Sequence, residues 1–171
     1  MVADASGHRV KEKTIESLFF ECDYIAVLRQ PNCWSPNRID KLREFVAASI
    51  SRKAGFNCDG FRNFAENKKL HEENLHDKLH DFFGADQAGS IASNESYFCS
   101  EFVAMAHVAV GIISPSAAVL YAPATLSPAD LAVDLTFGAF CGYVIPYPEY
   151  AIPNDDEFSS APLLKDIFGQ T

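Results

Sequence analysis

The hydrophobic positions of the chain follow two spacings, one typical of helices and one of buried strands. In residues 38–53, apolar side chains recur at 39, 42, 45, 46 and 50, which places them on one helical face, and Gly55 would end this helix. The apolar run 99–111 predicts a second helix, which Gly111 would end. Tyr24–Leu28 and 136–145 are short runs rich in β-branched and aromatic residues, and they predict strands. This mixture of helices and strands predicts an α+β fold.

The remaining segments are shorter or more polar. Thr14 and Ser127 each precede a short apolar segment and are typical N-cap residues of a helix. Residues 65–83 are charged and carry an apolar stripe, which indicates either an exposed amphipathic helix or a partly ordered insertion. Residues 56–64 are aromatic and interrupted by Gly, and 84–96 are rich in Gly, Ser, Ala and Asn, so we expect loops there.

Length and composition indicate one globular domain. The chain has 171 residues, of which 48% are hydrophobic and 22% are charged. These values exclude a disordered chain, a collagen-like chain and a coiled coil. We assign residues 1–150 to one domain, and we expect 151–171, which contains Pro, Asp and Ser, to form a peripheral tail.

The net charge and the apolar segments limit the expected partners. Lys and Arg number 14 against 23 Asp and Glu, which gives a formal charge of −9. Nucleic acids and anionic membrane surfaces require a basic face, so we expect neither as a partner. The apolar stretch Phe102–Ile113 is shorter than the roughly 20 residues that a membrane span requires. The first 20 residues lack the apolar region of a signal peptide, so we expect a soluble chain, cytoplasmic as written.

Five cysteines without Cys-x-x-Cys spacing predict reduced thiols, most of them buried. Cys99 differs in its setting, because a loop rich in Gly, Ser and Asn leads to it at the first turn of a predicted helix. The N–H groups of a helix start favour a thiolate and an oxyanion on an attacked carbonyl. Cys99 is therefore a candidate nucleophile, and packing at a helix start is the alternative. Glu101 suits a first-turn acid, but an acid close to a thiol disfavours the thiolate, so we do not assign it as the base.

The segment around Cys99 also resembles a known family. Tyr97–Ala104 is similar to the Cys-Ser-Glu motif of the circularly permuted papain-like amidases, which are relatives of NlpC-type cell-wall peptidases and of lecithin retinol acyltransferase. Further segments resemble motifs of this family in the same order, over residues 2–145. They are Asp23–Arg29, Ala54–Asp59, in which Cys58 stands where an aromatic residue is usual, and Thr125–Leu131.

The resemblance implies a permuted papain-like fold, in which a small antiparallel sheet packs on the helix that begins at the nucleophile. It gives Cys99 the role of that nucleophile. Val2–Gly7 resembles the family strand that carries an acid, so Asp4 matches the residue that orients the histidine base. The strand that holds this histidine would lie before Met1 and is absent from the sequence.

The activity that the resemblance implies is that of a thiol hydrolase or acyltransferase. Such an enzyme cleaves an amide, ester or thioester bond through an acyl-enzyme on Cys99. A peptide amide of cell-wall type or a lipid acyl group is the expected substrate, and no cofactor is expected. The absent histidine strand favours the alternative, a truncated or degenerate papain-like domain that is inactive and serves as a binding or interaction module.

The histidines of this chain do not match the expected base. His8 follows the first predicted strand, where the family has no catalytic residue. His76 and His80 have the i, i+4 spacing of a metal-binding pair, but such a pair is more typical of a solvated helix face. His107 lies eight residues beyond Cys99. That is about 12 Å along a helix, so we expect His107 to be a packing residue.

Overall fold

The chain combines helices with short strands, which confirms the predicted α+β class. The computed structural model describes residues 2–5, 7–84, 95–161 and 163–168. The strands are β1 (Val2–Asp4), β2 (Lys11–Lys13), β3 (Ile25–Arg29), β4 (Gly55–Phe56), β5 (Ser96–Tyr97) and β6 (Ala139–Val144). The helices are α1 (Ile15–Glu21), α2 (Pro36–Ser51), α3 (Cys58–Arg62), α4 (Phe64–Glu73), α5 (Leu75–Gly84), α6 (Cys99–Ala109), α7 (Pro115–Tyr121), α8 (Pro128–Val133) and α9 (Leu164–Phe168). Short 3₁₀ helices occur at Pro123–Thr125 and Glu157–Ser160.

Within the described residues, the strands pair two by two. β1 is antiparallel to β2, and β3 is antiparallel to β6. β4 and β5 are parallel, with Phe56 opposite Tyr97. Just before β6, Gly138 has a φ of +126°, and a Cβ at this position would lie 2.8 Å from the backbone of Arg29. Glycine therefore permits the close approach of β6 to the end of β3.

Two short helices begin at the capping residues that the sequence indicated. The Thr14 hydroxyl accepts the N–H of Ser17 at 3.1 Å, at the start of α1. The Ser127 hydroxyl accepts the N–H of Asp130 at 3.1 Å, at the start of α8. Both predictions are confirmed, because a capping hydroxyl satisfies an N–H group that the helix itself leaves without a partner.

The helix predicted over 38–53 exists, but both of its predicted ends are wrong. It spans Pro36–Ser51 and begins after Ser35, whose hydroxyl accepts a first-turn N–H. Gly55 does not end it. Lys53 takes the left-handed conformation after the helix, with φ of 56°, and Gly55 lies in β4.

The predicted loop at 56–64 is wrong, because this segment contains the end of β4 and the whole of α3. Asn57 caps α3, since its side-chain oxygen accepts the N–H of Gly60 at 2.8 Å. The charged segment 65–83 is helical and forms most of α4 and α5, on either side of Asn74. Of the predicted loop 84–96, residues 85–94 lie outside the described part of the chain.

Helix α6 contributes to two hydrophobic clusters of the core. Phe102 and Met105 pack with Tyr97 and with apolar residues of α2. Ala104 packs instead with Leu131 of α8 and with Phe137, which precedes β6. Burying an apolar side chain of this size contributes roughly 1.5–3 kcal/mol, so these contacts fix the position of α6 and of the cysteine at its start.

Residues 151–161, which we expected to be peripheral, lie against the ladder of β3 and β6. Ala161 is buried and shares a cluster with Phe140 of β6. Asp156 accepts the hydroxyl of Tyr24 at 2.6 Å and the hydroxyl of Tyr143 at 2.5 Å. One carboxylate thus holds this segment to Tyr24, which directly precedes β3, and to Tyr143 of β6.

Candidate active site

Cys99 is the first residue of α6, which confirms the predicted start of this helix. Tyr97 and Phe98, immediately before it, are 0% and 2% exposed, whereas Cys99 itself is exposed. The backbone N–H of Phe102 donates to the carbonyl of Phe98 at 2.9 Å. The N–H groups of Cys99 and of the next two residues therefore precede the first intrahelical bond and point out of the helix start.

The Glu101 side chain hydrogen-bonds to the backbone at the start of its own helix. Its side chain is only 1% exposed, and its Oε2 accepts the backbone N–H of Phe98 at 3.2 Å. This is the arrangement of a first-turn acid that caps its own helix. The contact supports our decision not to assign Glu101 as the base, since the carboxylate is directed to the backbone.

A second residue, Asn57, lies at this helix start and was not predicted from the sequence. Its side-chain N–H₂ donates to Glu101 Oε2 at 3.4 Å, and its backbone N–H donates to the carbonyl of Tyr97 at 3.1 Å. These two hydrogen bonds hold the start of α3 against the start of α6. An Asn three residues before a Gly, with Asp59 in the first turn, is a local N-cap signal, although its partner on α6 is not visible in the sequence.

Asp4 takes part in an ion pair within the β1–β2 hairpin. The Lys13 ammonium lies 2.7 Å from Asp4 Oδ2, and the Lys11 ammonium lies 4.0 Å from it. The hydrogen bonds of Lys13 to Asp4 and then to Glu21 raise the pKa of the lysine. Successive side chains of a strand point to opposite faces, so Asp4 points away from its neighbours, which pack against the core cluster that contains Tyr97.

Two of the histidines are buried, and hydrogen bonds hold Nδ1 of His107 and both ring nitrogens of His71. His107 Nδ1 lies 2.9 Å from the carbonyl of Val103, to which it donates, and its ring packs between Trp34 and Phe137. Burial lowers the pKa of His107, and the bond to the carbonyl partly offsets this. The predicted packing role of His107 is consistent with these contacts. His71 Nε2 lies 3.2 Å from a carbonyl of α7, and its Nδ1 accepts from the ammonium of a lysine on α5.

The other three histidines are exposed. The carbonyl of His8 accepts the N–H of Phe56 at 3.0 Å, so the His8 backbone runs beside β4. His76 and His80 each lie beside the aspartate that follows them in sequence. In the described ranges, no group of three or more His, Cys, Asp or Glu side chains is placed to hold a metal ion. Nor does any described helix combine the length and the apolar character required to cross a bilayer.

The expectation that most of the cysteines are buried is wrong. Cys58, Cys99 and Cys141 are exposed, while Cys22 and Cys33 are half-buried, and all five are free thiols. Cys58 and Cys99 each begin a helix, and Cys141 lies on the outer face of β6. Burial raises the pKa of the Cys33 thiol.

Comparisons with family models, with curated proteins and with solved structures give no match for this chain. The interpretation of the site therefore depends on the chemistry of the residues around Cys99. An exposed thiol, outward N–H groups and a carboxylate that is held on the backbone meet within one helical turn.

Proposed function

We propose that this chain is a cysteine-dependent hydrolase or acyltransferase that forms an acyl-enzyme on Cys99. One observation carries the proposal: an exposed thiol stands at the first residue of a long, core-anchored helix. A helix start stabilises a negative charge on sulfur and on a nearby carbonyl oxygen. A nucleophilic cysteine requires both effects.

The proposed reaction uses this geometry in two steps. The Cys99 sulfur attacks the carbonyl carbon of an amide, ester or thioester, and the N–H groups at the start of α6 bind the oxyanion. The leaving amine, alcohol or thiol takes up a proton, and water or another acceptor then displaces the acyl group from sulfur. In the family that this chain resembles, a histidine oriented by an acid moves the protons. The resemblance places Asp4 in the role of that acid, and none of the five histidines of this sequence is assigned as the base.

We propose a permuted papain-like arrangement for the fold as well. The support is that β5 leads directly into a helix that begins at the cysteine, and that the four similar segments occur in the family's order. The expected substrates, a peptide amide of cell-wall type or a lipid acyl group, follow from the resemblance alone.

A second candidate function is that of an inactive domain that binds a partner. The contacts of Asp4 favour it, because Lys13 engages its carboxylate across the hairpin. In this case Cys99 would be an exposed residue without a role in bond cleavage.

Trapping of the acyl-enzyme separates the two functions. The full chain would be mixed with p-nitrophenyl esters of a short and a medium-length fatty acid, and intact mass and peptide mapping would locate any acyl group. The enzyme proposal predicts an adduct on Cys99 that is lost in Cys99→Ala and kept in Cys58→Ala, a matched variant at the start of α3. The binding-domain alternative predicts that Cys99 acquires no more acyl group than Cys58 or Cys141.

A further inference from the structure

Asn57 makes polar contacts to three parts of the fold, namely α3, α6 and the residue pair that leads into α6. Its backbone N–H donates to Tyr97, which leads to α6, and its side-chain oxygen accepts the N–H of Gly60 in α3. Its side-chain N–H₂ is thereby turned toward Glu101 Oε2, 3.4 Å away. The amide therefore has a fixed orientation, with the donor end on the carboxylate and the acceptor end on α3.

The carboxylate of Glu101 lies at the same helix start as the Cys99 thiol, so its negative charge bears on the thiolate. Its Oε2 accepts from Asn57 and from the N–H of Phe98, the residue directly before Cys99. Two donors on one oxygen favour the ionised carboxylate. A buried negative charge so close to the start of α6 opposes a second negative charge on the Cys99 sulfur, unless donors hold it in place and disperse it.

We propose that Asn57 is a positioning residue for the Cys99 thiolate. It holds the Glu101 carboxylate on the backbone N–H of Phe98 and so limits the opposition of that carboxylate to the thiolate. This inference rests on the proposed function for its biological meaning, since it concerns the reactivity of the same cysteine. It goes beyond that proposal by giving a role to a residue outside the Cys-Ser-Glu segment.

Asn57→Asp tests the contact without removing the helix cap. Aspartate caps a helix as well as asparagine does, so the bond to Gly60 is kept, but the donor to Glu101 is replaced by a like charge. We expect iodoacetamide to alkylate Cys99 about three- to tenfold more slowly near pH 7 in this variant, because less thiolate is present. At about pH 10, where most of any exposed thiol is ionised, the two rates should agree. Cys141, on a distant strand, is the internal control.

The double variant Asn57→Asp with Glu101→Gln exchanges donor and acceptor. The amide introduced at position 101 would donate to the carboxylate introduced at position 57, while the oxygen of that amide still accepts the N–H of Phe98. The rate near pH 7 should therefore recover. If Asn57 only capped α3, the rate would neither fall in the single variant nor recover in the double variant, because aspartate keeps the cap in both. If Asn57→Asp fails to fold, the single variant Glu101→Gln replaces it. This variant removes the charge and should raise the Cys99 rate near pH 7 by about threefold.

Each result decides the inference. Slowing of Cys99 but not of Cys141, with recovery in the double variant, supports it. An unchanged Cys99 rate, equal slowing of both cysteines, no recovery, or no effect of Glu101→Gln overturns it. The proposed function can fail while this inference holds. In that case the alkylation rates respond as expected, but no acyl adduct forms on Cys99.

Discussion

The Asn57 side chain occupies the space that a Cβ at position 60 would need. An ideal Cβ built on Gly60 would lie 2.4 Å from Asn57 Nδ2 and 2.9 Å from Oδ1. Gly60 therefore leaves room for the asparagine that caps α3 and reaches Glu101. The two residues form one unit, although the sequence indicates only a loop in this segment.

This crowding predicts that the effect of Gly60→Ala on the free energy of unfolding changes sign when Asn57 is also replaced. Gly60→Ala should destabilise the wild type by about 1 kcal/mol, because the cap must move. In the Asn57→Ala background, the same substitution should stabilise by about 0.5 kcal/mol, because alanine favours the helix and meets no side chain there. Denaturant unfolding of the four proteins measures both values. Equal effects of Gly60→Ala in the two backgrounds would contradict the crowding of Asn57.

The Asp156 contacts predict unusual tyrosine titration. The hydrogen bond to Asp156, followed by burial, raises the pKa of Tyr24 to about 12. Burial, followed by the bond to Asp156, raises the pKa of Tyr143 to about 12. In Asp156→Asn, the pKa of Tyr24 should fall back further than that of Tyr143, since its largest cause has been weakened. The ultraviolet absorbance of tyrosinate, measured against pH, tests this difference. The variants Tyr24→Phe and Tyr143→Phe assign each pKa to its residue.

The same contacts give a pH dependence to the stability of the fold. The tyrosine hydrogen bonds lower the pKa of Asp156, so its contribution is present above the unfolded value of 3.8 and is lost as the pH falls below it. The tyrosines have raised values, so their contribution is present below the unfolded value of 10.0 and is lost as the pH rises toward 12. In Asp156→Asn, the melting temperature should fall less than in the wild type at both low and high pH. If the melting temperatures of the wild type and the variant depended on pH in the same way, this contact would not stabilise the fold.

His107 predicts a loss of stability on mild acidification. Burial lowers the pKa of His107 below the unfolded value of 6.5, so the folded protein binds a proton there less readily than the unfolded chain. Its contribution is therefore present above that value and is lost as the pH falls. The wild type should lose stability relative to His107→Phe between about pH 7 and about pH 5. A constant difference across this range would mean that His107 is not held neutral by its surroundings.

Elements specified by adjacent residues could be predicted from the sequence. Thr14 and Ser127 cap helices through bonds to residues three positions on, and the apolar run after Cys99 defines α6. In each case the decisive groups lie within one turn of one another, so the local pattern contains the information.

Other features depend on residues that are distant in sequence. β4 has two residues, and it exists because β5 pairs with it, which the loop-like composition of 56–64 does not reveal. Asn57 and Glu101 are 44 positions apart. The ion pair of Asp4 with Lys13 likewise follows from the register of β1 and β2. The sequence therefore indicated the candidate nucleophile but not these contacts between distant residues.

The exposed cysteines provide an internal comparison for the candidate nucleophile. Cys58 begins α3, which has 5 residues, whereas Cys99 begins α6, which has 11 residues and contributes to the core. Cys141 lies on β6, away from any helix start. Exposure is common to the three, so a difference in their reactivity reports the local environment of each sulfur.

The most direct measurement of the central claim is the rate at which iodoacetamide labels each cysteine near neutral pH, read by peptide mapping. If the start of α6 activates its thiol, Cys99 should react about tenfold or more faster than Cys58 and Cys141, and denaturant should abolish the difference. Equal rates for the three exposed thiols in the folded protein would contradict the assignment of Cys99 as a nucleophile.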